Sequence, residues 1–523
     1  MEAVAEQIIG EHTYIVLEDE QPFATSRLWE MQRSYFESMG VEAWRRGEVP
    51  HYVTSNPRMA NSYAEIVFAL FRDRQRLAPI DEPLTVCELG AGSGRFAFHF
   101  LSRLGRLCDD AAVPLASFRY ILTDLAQSNL DFWRAHPRFQ SYFDAGMLDF
   151  ALFDVTDSSA LTMQRSGETI QPGSLHQPLV VIANYVFDSV PQDLFRINEG
   201  AIEECLMTMV VRKDEQSETV ADHLSALKCK LTYRPLTEPP YDEAYLQKLL
   251  AMYRKTLVDS HLLFPAMGLR CLGRLQDLSQ AGVVLLSADK GEHRLSALQG
   301  RPAPGLVRHG GAFSINVNYH AFKELCEHGG GIALFPTAQY RSVNVCCLIM
   351  VADAADHRDT RSAYRRFVEE FGPDDFFSIT RTANEQIGAM SVENIVAYLR
   401  LSYYDGQQLS RCIPRLIELA PDFGTEDREA VLTAAEQAWE LQYPLGEGLD
   451  LAGQIAGLCY GLADHARALT FLQHSITTYG EEPGTLKNMA LCYQQLGDDE
   501  RAERILASLP SSVAVENIEQ TVT

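Results

Sequence analysis

The run Val86-Cys87-Glu88-Leu89-Gly90-Ala91-Gly92-Ser93-Gly94-Arg95 decides how this chain is read. With Leu84-Thr85 before it, the run opens as a short apolar strand. Glycine then takes every second position, and Phe96, Phe98 and Leu101 continue at helical spacing. Glycine accepts positive φ and lets a ligand approach bare backbone amides, so strand, glycine turn and helix form a cradle for a nucleotide-derived ligand. A dinucleotide-binding loop needs a glycine where Arg95 stands, which argues against hydride transfer.

Further apolar runs follow at Phe118–Leu122, Phe150–Phe153, Leu179–Ala183, Val283–Leu286 and Ser342–Val351. Strands alternating with longer helical or loop segments predict an α/β fold, a doubly wound, Rossmann-like and mostly parallel sheet, over residues 81–355. Upstream, Tyr63, Ile66, Val67 and Leu70 recur at helical spacing, and a loop runs from Glu48 to Pro57. Residues 1–80 read as an N-terminal helical cap. From about 200 to 281 the strand series is interrupted, and Tyr241, Tyr245, Leu249 and Tyr253 fall at helical intervals. This segment reads as a helical insertion over one edge of the sheet.

Beyond Asp353 no strand pattern remains, and residues 370–523 read as a separate all-α domain. Leu458-Cys459-Tyr460 recurs 33 residues later as Leu491-Cys492-Tyr493, and Arg467-Ala468 recurs 34 residues later as Arg501-Ala502. A weaker third copy is Leu401-Ser402-Tyr403, leading into Leu416-Ile417-Glu418-Leu419-Ala420-Pro421. The period resembles that of tetratricopeptide repeats, which stack helix pairs around a shared core and offer concave surfaces to peptides. No tryptophan opens the first helix of either copy.

The chain has 523 residues, of which 46% are hydrophobic, 22% charged and 10% aromatic, as in folded globular proteins. With 45 basic and 70 acidic residues, its formal charge of -25 disfavours nucleic acid and anionic lipid as partners. The apolar runs are far shorter than the ~20 residues of a membrane-spanning helix. Eleven cysteines without a CxxC pair point to neither a disulfide framework nor zinc. No His/Cys/Asp cluster has metal-ligand spacing, so no metal is expected. The acidic start, Met1-Glu2-Ala3-Val4-Ala5-Glu6, has no basic, apolar leader character, and a reducing cytoplasm is expected.

Two carboxylates end strands beside the glycine loop. Asp124 closes Tyr120-Ile121-Leu122-Thr123-Asp124, where it can accept ribose hydroxyls, and Asp154 follows Phe153, where it can accept an adenine amino group. The strand from Leu179 leads into Asn184-Tyr185-Val186-Phe187-Asp188-Ser189-Val190-Pro191. This puts Asn184 and Asp188 at a strand's carboxyl end, the expected reaction centre. His51, His309 and His320 are candidate bases by location alone.

The acidic residue followed by Gly-x-Gly-x-Gly resembles motif I of class I S-adenosylmethionine-dependent methyltransferases. The resemblance implies that Gly90, Gly92 and Gly94 line the methionine moiety, and that Glu88 positions the loop or contacts the cofactor's amino group through water. The segment from Asn184 resembles the Asn-Glu-x-x-Asp-Ala-Leu-Pro signature of the MidA-like family, which includes a mitochondrial complex I assembly factor that methylates an arginine. Further matches are Tyr52-Val53-Thr54-Ser55-Asn56-Pro57, Leu285-Leu286-Ser287-Ala288-Asp289-Lys290-Gly291 and Ser314-Ile315-Asn316-Val317-Asn318-Tyr319. Together they span roughly residues 30 to 350. Tyr185 stands where the family has glutamate and Asn318 where it has aspartate, so carboxylates that would hold a guanidinium are missing. Asn184 with Phe187 also resembles the Asn-x-x-aromatic corner with which some amino-methyltransferases orient an amide or amine.

Three readings stay open from the sequence. The first is a methyltransferase whose helical repeats recruit a protein or peptide acceptor. The second is a small-molecule methyltransferase whose repeats make a homodimer. The third is a scaffold that has kept the fold and lost catalysis.

Overall fold

Every residue from Leu84 to Leu89 is buried, as a central strand covered by helices on both faces requires. The computed structural model describes residues 5–9, 12–79, 81–157, 160–215, 224, 226–340, 342–446 and 448–509. The chain divides into two units, residues 1–55 with 59–375, and residues 376–523 with Asn56–Arg58.

In chain order, β1 (Ala5–Ile9) and β2 (His12–Pro22) precede α1 (Arg27–Met39), α2 (Glu42–Arg45), α3 (Tyr52–Ser55) and α4 (Pro57–Leu77). Next come β3 (Leu84–Leu89), α5 (Arg95–Asp110), β4 (Phe118–Asp124), α6 (Gln127–Ala135), β5 (Leu148–Leu152) and the short pair β6 (Leu161–Thr162) and β7 (Thr169–Ile170). The remaining strands are β8 (Leu179–Asn184), β9 (Asp193–Asn198), β10 (Ala201–Arg212), β11 (Lys228–Pro235), β12 (Ser260–Phe264), β13 (Val283–Asp289), β14 (Val307–His309), β15 (Ala312–Ser314), β16 (Ile332–Leu334) and β17 (Asn344–Met350).

The 7-stranded sheet has the order β16-β17-β13-β8-β3-β4-β5. Strands β13, β8, β3, β4 and β5 are mutually parallel, and β17 runs antiparallel between β13 and β16. This is the expected doubly wound sheet, with one reversed strand near its edge. The chain winds from β3 through β4 to β5 on one side and resumes with β8 and β13 on the other, so the strand order reverses between β3 and β8. Ligands of such sheets bind at that point, outside the strands' carboxyl ends. Cys87, Val181, Leu285 and Leu348, all fully buried, belong to the core on one face. Burial of each such leucine or valine contributes roughly 1.5–3 kcal/mol.

A second, antiparallel sheet has the order β1-β2-β10-β9-β12, with β11 also on β10. It corrects two expectations. Ala5–Ile9 and His12–Pro22 are strands, so the helical cap begins only at α1, and a short helix, α3, interrupts the loop expected before Pro57. The segment 200–281 supplies β10, β11 and β12 as well as the helices Ala244–Thr256 and Ala266–Gln276. Glu18 shows why β2 reads poorly as a strand. Its carboxylate, only 2% exposed, accepts the Ser26 hydroxyl at 2.6 Å and the Arg27 amide at 2.5 Å, so a charged residue of the strand serves the N-terminus of α1.

In the second unit the described residues form helices, among them the hairpins Leu451–Gly461 with His465–Tyr479 and Pro483–Gln495 with Asp499–Ser508. The internal period appears in the turns. Ala463 and Gly497, 34 residues apart, both adopt the left-handed conformation, at φ 58° and 78°. The next residues, Asp464 and Asp498, cap the second helices by accepting the Arg467 and Arg501 amides at 3.0 and 3.2 Å. Leu401-Ser402-Tyr403 is not a third copy: it runs off a helix end into a turn, whereas Leu458-Cys459-Tyr460 lies within a helix. Residues 510–523, the end of the expected domain, and Met1–Val4, which open the N-terminal stretch read for localisation, lie outside the described residues. No helix among the described residues is long and apolar enough to cross a membrane.

Candidate functional site

A cavity of about 160 Å³ lies outside the carboxyl ends of β3, β8 and β13. Glu88, Gly90 and Gly92 line one wall, and Asn184, Asp188 and Lys290 another. Phe36, Trp44, His51 before α3 and the β14–β15 hairpin also line it.

Gly90, Gly92 and Gly94 all take positive φ, at 58°, 54° and 78°. The loop's amides, however, are largely engaged within the protein. Ala91 donates to the Thr123 carbonyl at 2.9 Å, Gly92 to Asp124 Oδ2 at 2.9 Å and Gly94 to the Ala91 carbonyl at 2.9 Å. The glycines therefore offer bare backbone surface and close approach more than free donors. A Cβ on Gly92 would come within 2.7 Å of the Trp44 ring, and one on Gly90 within 3.3 Å of Val186.

Asp124 braces this loop: besides Gly92 it accepts the Ala126 amide at 3.0 Å, and it stands behind the cavity wall rather than in it. Asp154 also lies off the cavity, where it accepts the Thr156 amide at 2.8 Å and pairs with Arg33 of α1. Burial alone would raise the Asp154 carboxyl, but the bonds from Thr156 and Arg33 hold it below the usual range. Glu88 does line the cavity. Its Oε2 accepts the Tyr120 hydroxyl at 2.7 Å, and burial, opposed by that bond and helped by nearby Asp124, pushes its carboxyl up to about 8.

Asn184 and Asp188 meet at the expected place. Asn184 Oδ1 accepts the Tyr63 hydroxyl at 2.9 Å, while its Nδ2 is buried without a hydrogen-bond partner. Tyr185 turns the chain with φ 54°, a conformation non-glycine residues rarely adopt, and brings Asp188 back to the wall. Burial raises the Asp188 carboxyl, against the opposing bonds from Ser189 and Asp289 and the charge of Lys290. Phe187 does not complete an aromatic corner: it is in the core, 4.6 Å from the Phe322 ring.

Of the three histidines, His51 and His309 border the cavity and His320 does not. His51 Nε2 is 2.9 Å from the Arg95 guanidinium, and burial with that charge lowers its pKa to about 4. His309 Nε2 is 3.2 Å from the Ser314 hydroxyl, and burial and Lys290 lower its pKa. His320 pairs with the Tyr253 hydroxyl at 2.9 Å. Asn318 is also outside the cavity: its side chain caps the helix Tyr319–His328 by accepting the Ala321 amide at 3.2 Å and donates to the Leu263 carbonyl at 3.0 Å. The site further includes Tyr63, Trp44 and Lys290, and Asp289 directly behind Asp188. Asp289 ends β13 and Lys290 follows it, so the strand-end rule that singles out Asn184 also reaches them. No group of three or more metal-ligating side chains occurs among the described residues.

No protein-family model matches the chain, and no curated protein does. Among solved structures, it is similar to a Burkholderia thailandensis protein in complex with S-adenosyl-homocysteine, at 15% identity and a TM-score of 0.43, over 65% of this chain and 90% of that one. CurJ carbon methyltransferase matches at 12% identity and a TM-score of 0.24, over 63% of this chain and 67% of that one. An O-methyltransferase family protein from Burkholderia thailandensis matches at 11% identity and a TM-score of 0.24, over 61% and 71%.

Proposed function

We propose that the chain is an S-adenosylmethionine-dependent methyltransferase acting on a nitrogen of a protein or peptide, with the helical unit recruiting the acceptor. The observation that carries this reading is the meeting of a three-glycine turn with Asn184 and Asp188 where the strand order reverses. The residues present fit the cofactor. Gly90 and Gly92 give its methionine part a surface without side chains, Glu88 offers a carboxyl group, and Asn184 Nδ2 is a buried donor in need of an acceptor. The cavity is smaller than the roughly 300–1,000 Å³ of typical ligand sites, so Trp44 and Phe36 must move aside on binding.

When bound, the cofactor supplies a methyl group already activated on a sulfonium. The protein's part is to exclude water, hold the acceptor nitrogen in line and take up its proton. Trp44 and Phe36 exclude water, Asn184 orients, and Asp188 carries negative charge into a buried wall. A cavity of about 620 Å³ in the helical unit, bordered by Gly453, Gly457, Gln454 and Asn488, supports the peptide reading through its small residues and side-chain amides.

Calorimetric titration with S-adenosylmethionine and S-adenosylhomocysteine, with Gly92→Arg as control, tests the cofactor. Micromolar binding that Gly92→Arg abolishes is expected, and no binding by the wild-type chain would refute the reading. Label from the methyl group should then appear in protein; label confined to small molecules would refute the acceptor class.

A further inference from the structure

Behind the cavity wall two carboxyl groups meet. Asp188, on the turn after β8, and Asp289, the last residue of β13, are 5% and 0% exposed. The Asp188 amide donates to Asp289 Oδ2 at 3.3 Å, and the two carboxyls are in hydrogen-bonding contact. Two ionised carboxylates have no donor between them, so the contact requires a proton.

The surroundings place that proton on Asp289. Its Oδ1 is buried with no hydrogen-bond partner, and a full charge there would be desolvated without compensation. Asp188 instead borders the cavity and accepts the Ser189 hydroxyl at 2.8 Å. The groups facing the pair are Tyr185 on the turn, Tyr63 of α4, Tyr319, Cys346 of β17 and Lys290. Burial raises the tyrosines and the cysteine and keeps them neutral, and Lys290 places a cation beside the pair.

We propose that Asp289 is a positioning residue: by keeping a proton it lets Asp188 present a single carboxylate to the cavity, and Asp188 receives the proton of the acceptor nitrogen. This rests on the methyltransferase reading above. In the step, the acceptor N–H bond breaks with its electron pair left on nitrogen. An O–H bond forms on Asp188, its charge is neutralised, and the Asp289 proton stays in place.

Infrared spectroscopy of the full, ligand-free chain tests the pair apart from catalysis. At pH 7 a protonated-carboxyl band should remain in Glu88→Gln and lose one carboxyl's intensity in Asp289→Asn. The Asp188 titration should move up by about one to two pH units in Asp289→Leu, because the hydrogen bond that the protonated Asp289 donates to the Asp188 carboxylate has gone. An unchanged band in Asp289→Asn or an unchanged titration in Asp289→Leu overturns the proposal. Should either variant fail to fold, Asp188→Asn carries the test: the Asp289 band should persist at pH 7, and its loss overturns the proposal. In turnover, Asp289→Leu should move the acidic limb of the kcat profile up by the same amount. Failure of wild-type S-adenosylhomocysteine binding removes the functional reading but leaves the infrared result intact, so the two failures are distinguishable.

Discussion

The hydroxyl of Tyr63 donates to Oδ1 of Asn184 across 2.9 Å, from the middle of α4 to the end of β8. This bond sets the amide's orientation and leaves Nδ2 as a buried donor without a partner. Tyr63→Phe removes the lock while keeping the ring, which is fully buried. Loss of one buried hydrogen bond costs about 1 kcal/mol of stability, and freeing the amide to flip should weaken S-adenosylhomocysteine binding by roughly fivefold to tenfold. Calorimetry beside thermal unfolding checks both, and unchanged binding would mean that Asn184 does not touch the ligand.

Gly92 and Trp44 are coupled in the same manner. Gly92→Ala imposes φ 54° on a residue with a Cβ, at about 1–2 kcal/mol, and drives that Cβ to 2.7 Å from the Trp44 ring. Adding Trp44→Ala should relieve the collision and leave the backbone cost. In a double-mutant cycle by urea denaturation, the pair should then cost less than the sum of the single changes. Strict additivity would show that the ring does not press on the loop.

The glycine loop and the strands of the main sheet were legible because buried parallel strands are continuous apolar runs that stop where the turn begins. Asn184 and Asp188 were legible by the same rule, as residues at a strand end. Asp124 closes β4 as expected and Asp154 lies just beyond the end of β5, but spacing alone does not tell which partner a carboxylate takes, and here these are Gly92 and Arg33. Trp44 and Tyr63 gave no signal, since an aromatic residue on an amphipathic helix reads as core. The second sheet was hidden because β2 continues its apolar run into Glu18, Asp19 and Glu20, a charge cluster that reads as a loop.

Glu88 makes a pH prediction with a definite sign. Burial, as the leading cause, holds its carboxyl at about 8 in the folded chain against an ordinary value of 4.5, so the folded state binds the extra proton between those limits. Its contribution to stability is therefore greatest below pH 4.5 and is lost as pH rises through about 8, with a slope of at most about 1.4 kcal/mol per pH unit. Glu88→Gln can still accept from Tyr120 but cannot titrate. Urea denaturation at pH 5.5 and 8.5 should show wild type losing more stability than Glu88→Gln, and parallel losses would mean that Glu88 is ionised throughout. A ligand ammonium placed against Glu88 should release a proton, readable as a buffer-dependent calorimetric heat.

Ala463 occupies the turn position that Gly497 holds 34 residues later, and both are exposed, so side-chain packing does not separate them. The same hydrogen bonds close both turns, from the Ala463 amide to the Tyr460 carbonyl at 2.9 Å and from the Gly497 amide to the Gln494 carbonyl at 3.0 Å. What differs is the Cβ, which the left-handed conformation disfavours by about 1–2 kcal/mol. Glycine loses more entropy on folding, which offsets part of that difference, so Ala463→Gly should stabilise the hairpin Leu451–Tyr479 by about 1 kcal/mol, and Gly497→Ala should destabilise its counterpart by a similar amount. Amide hydrogen exchange on the full chain reads each hairpin separately: protection in the helices flanking residue 463 should rise about fivefold in Ala463→Gly. Unchanged protection would mean that these helices open without releasing the turn, so that its strain does not enter the local opening equilibrium.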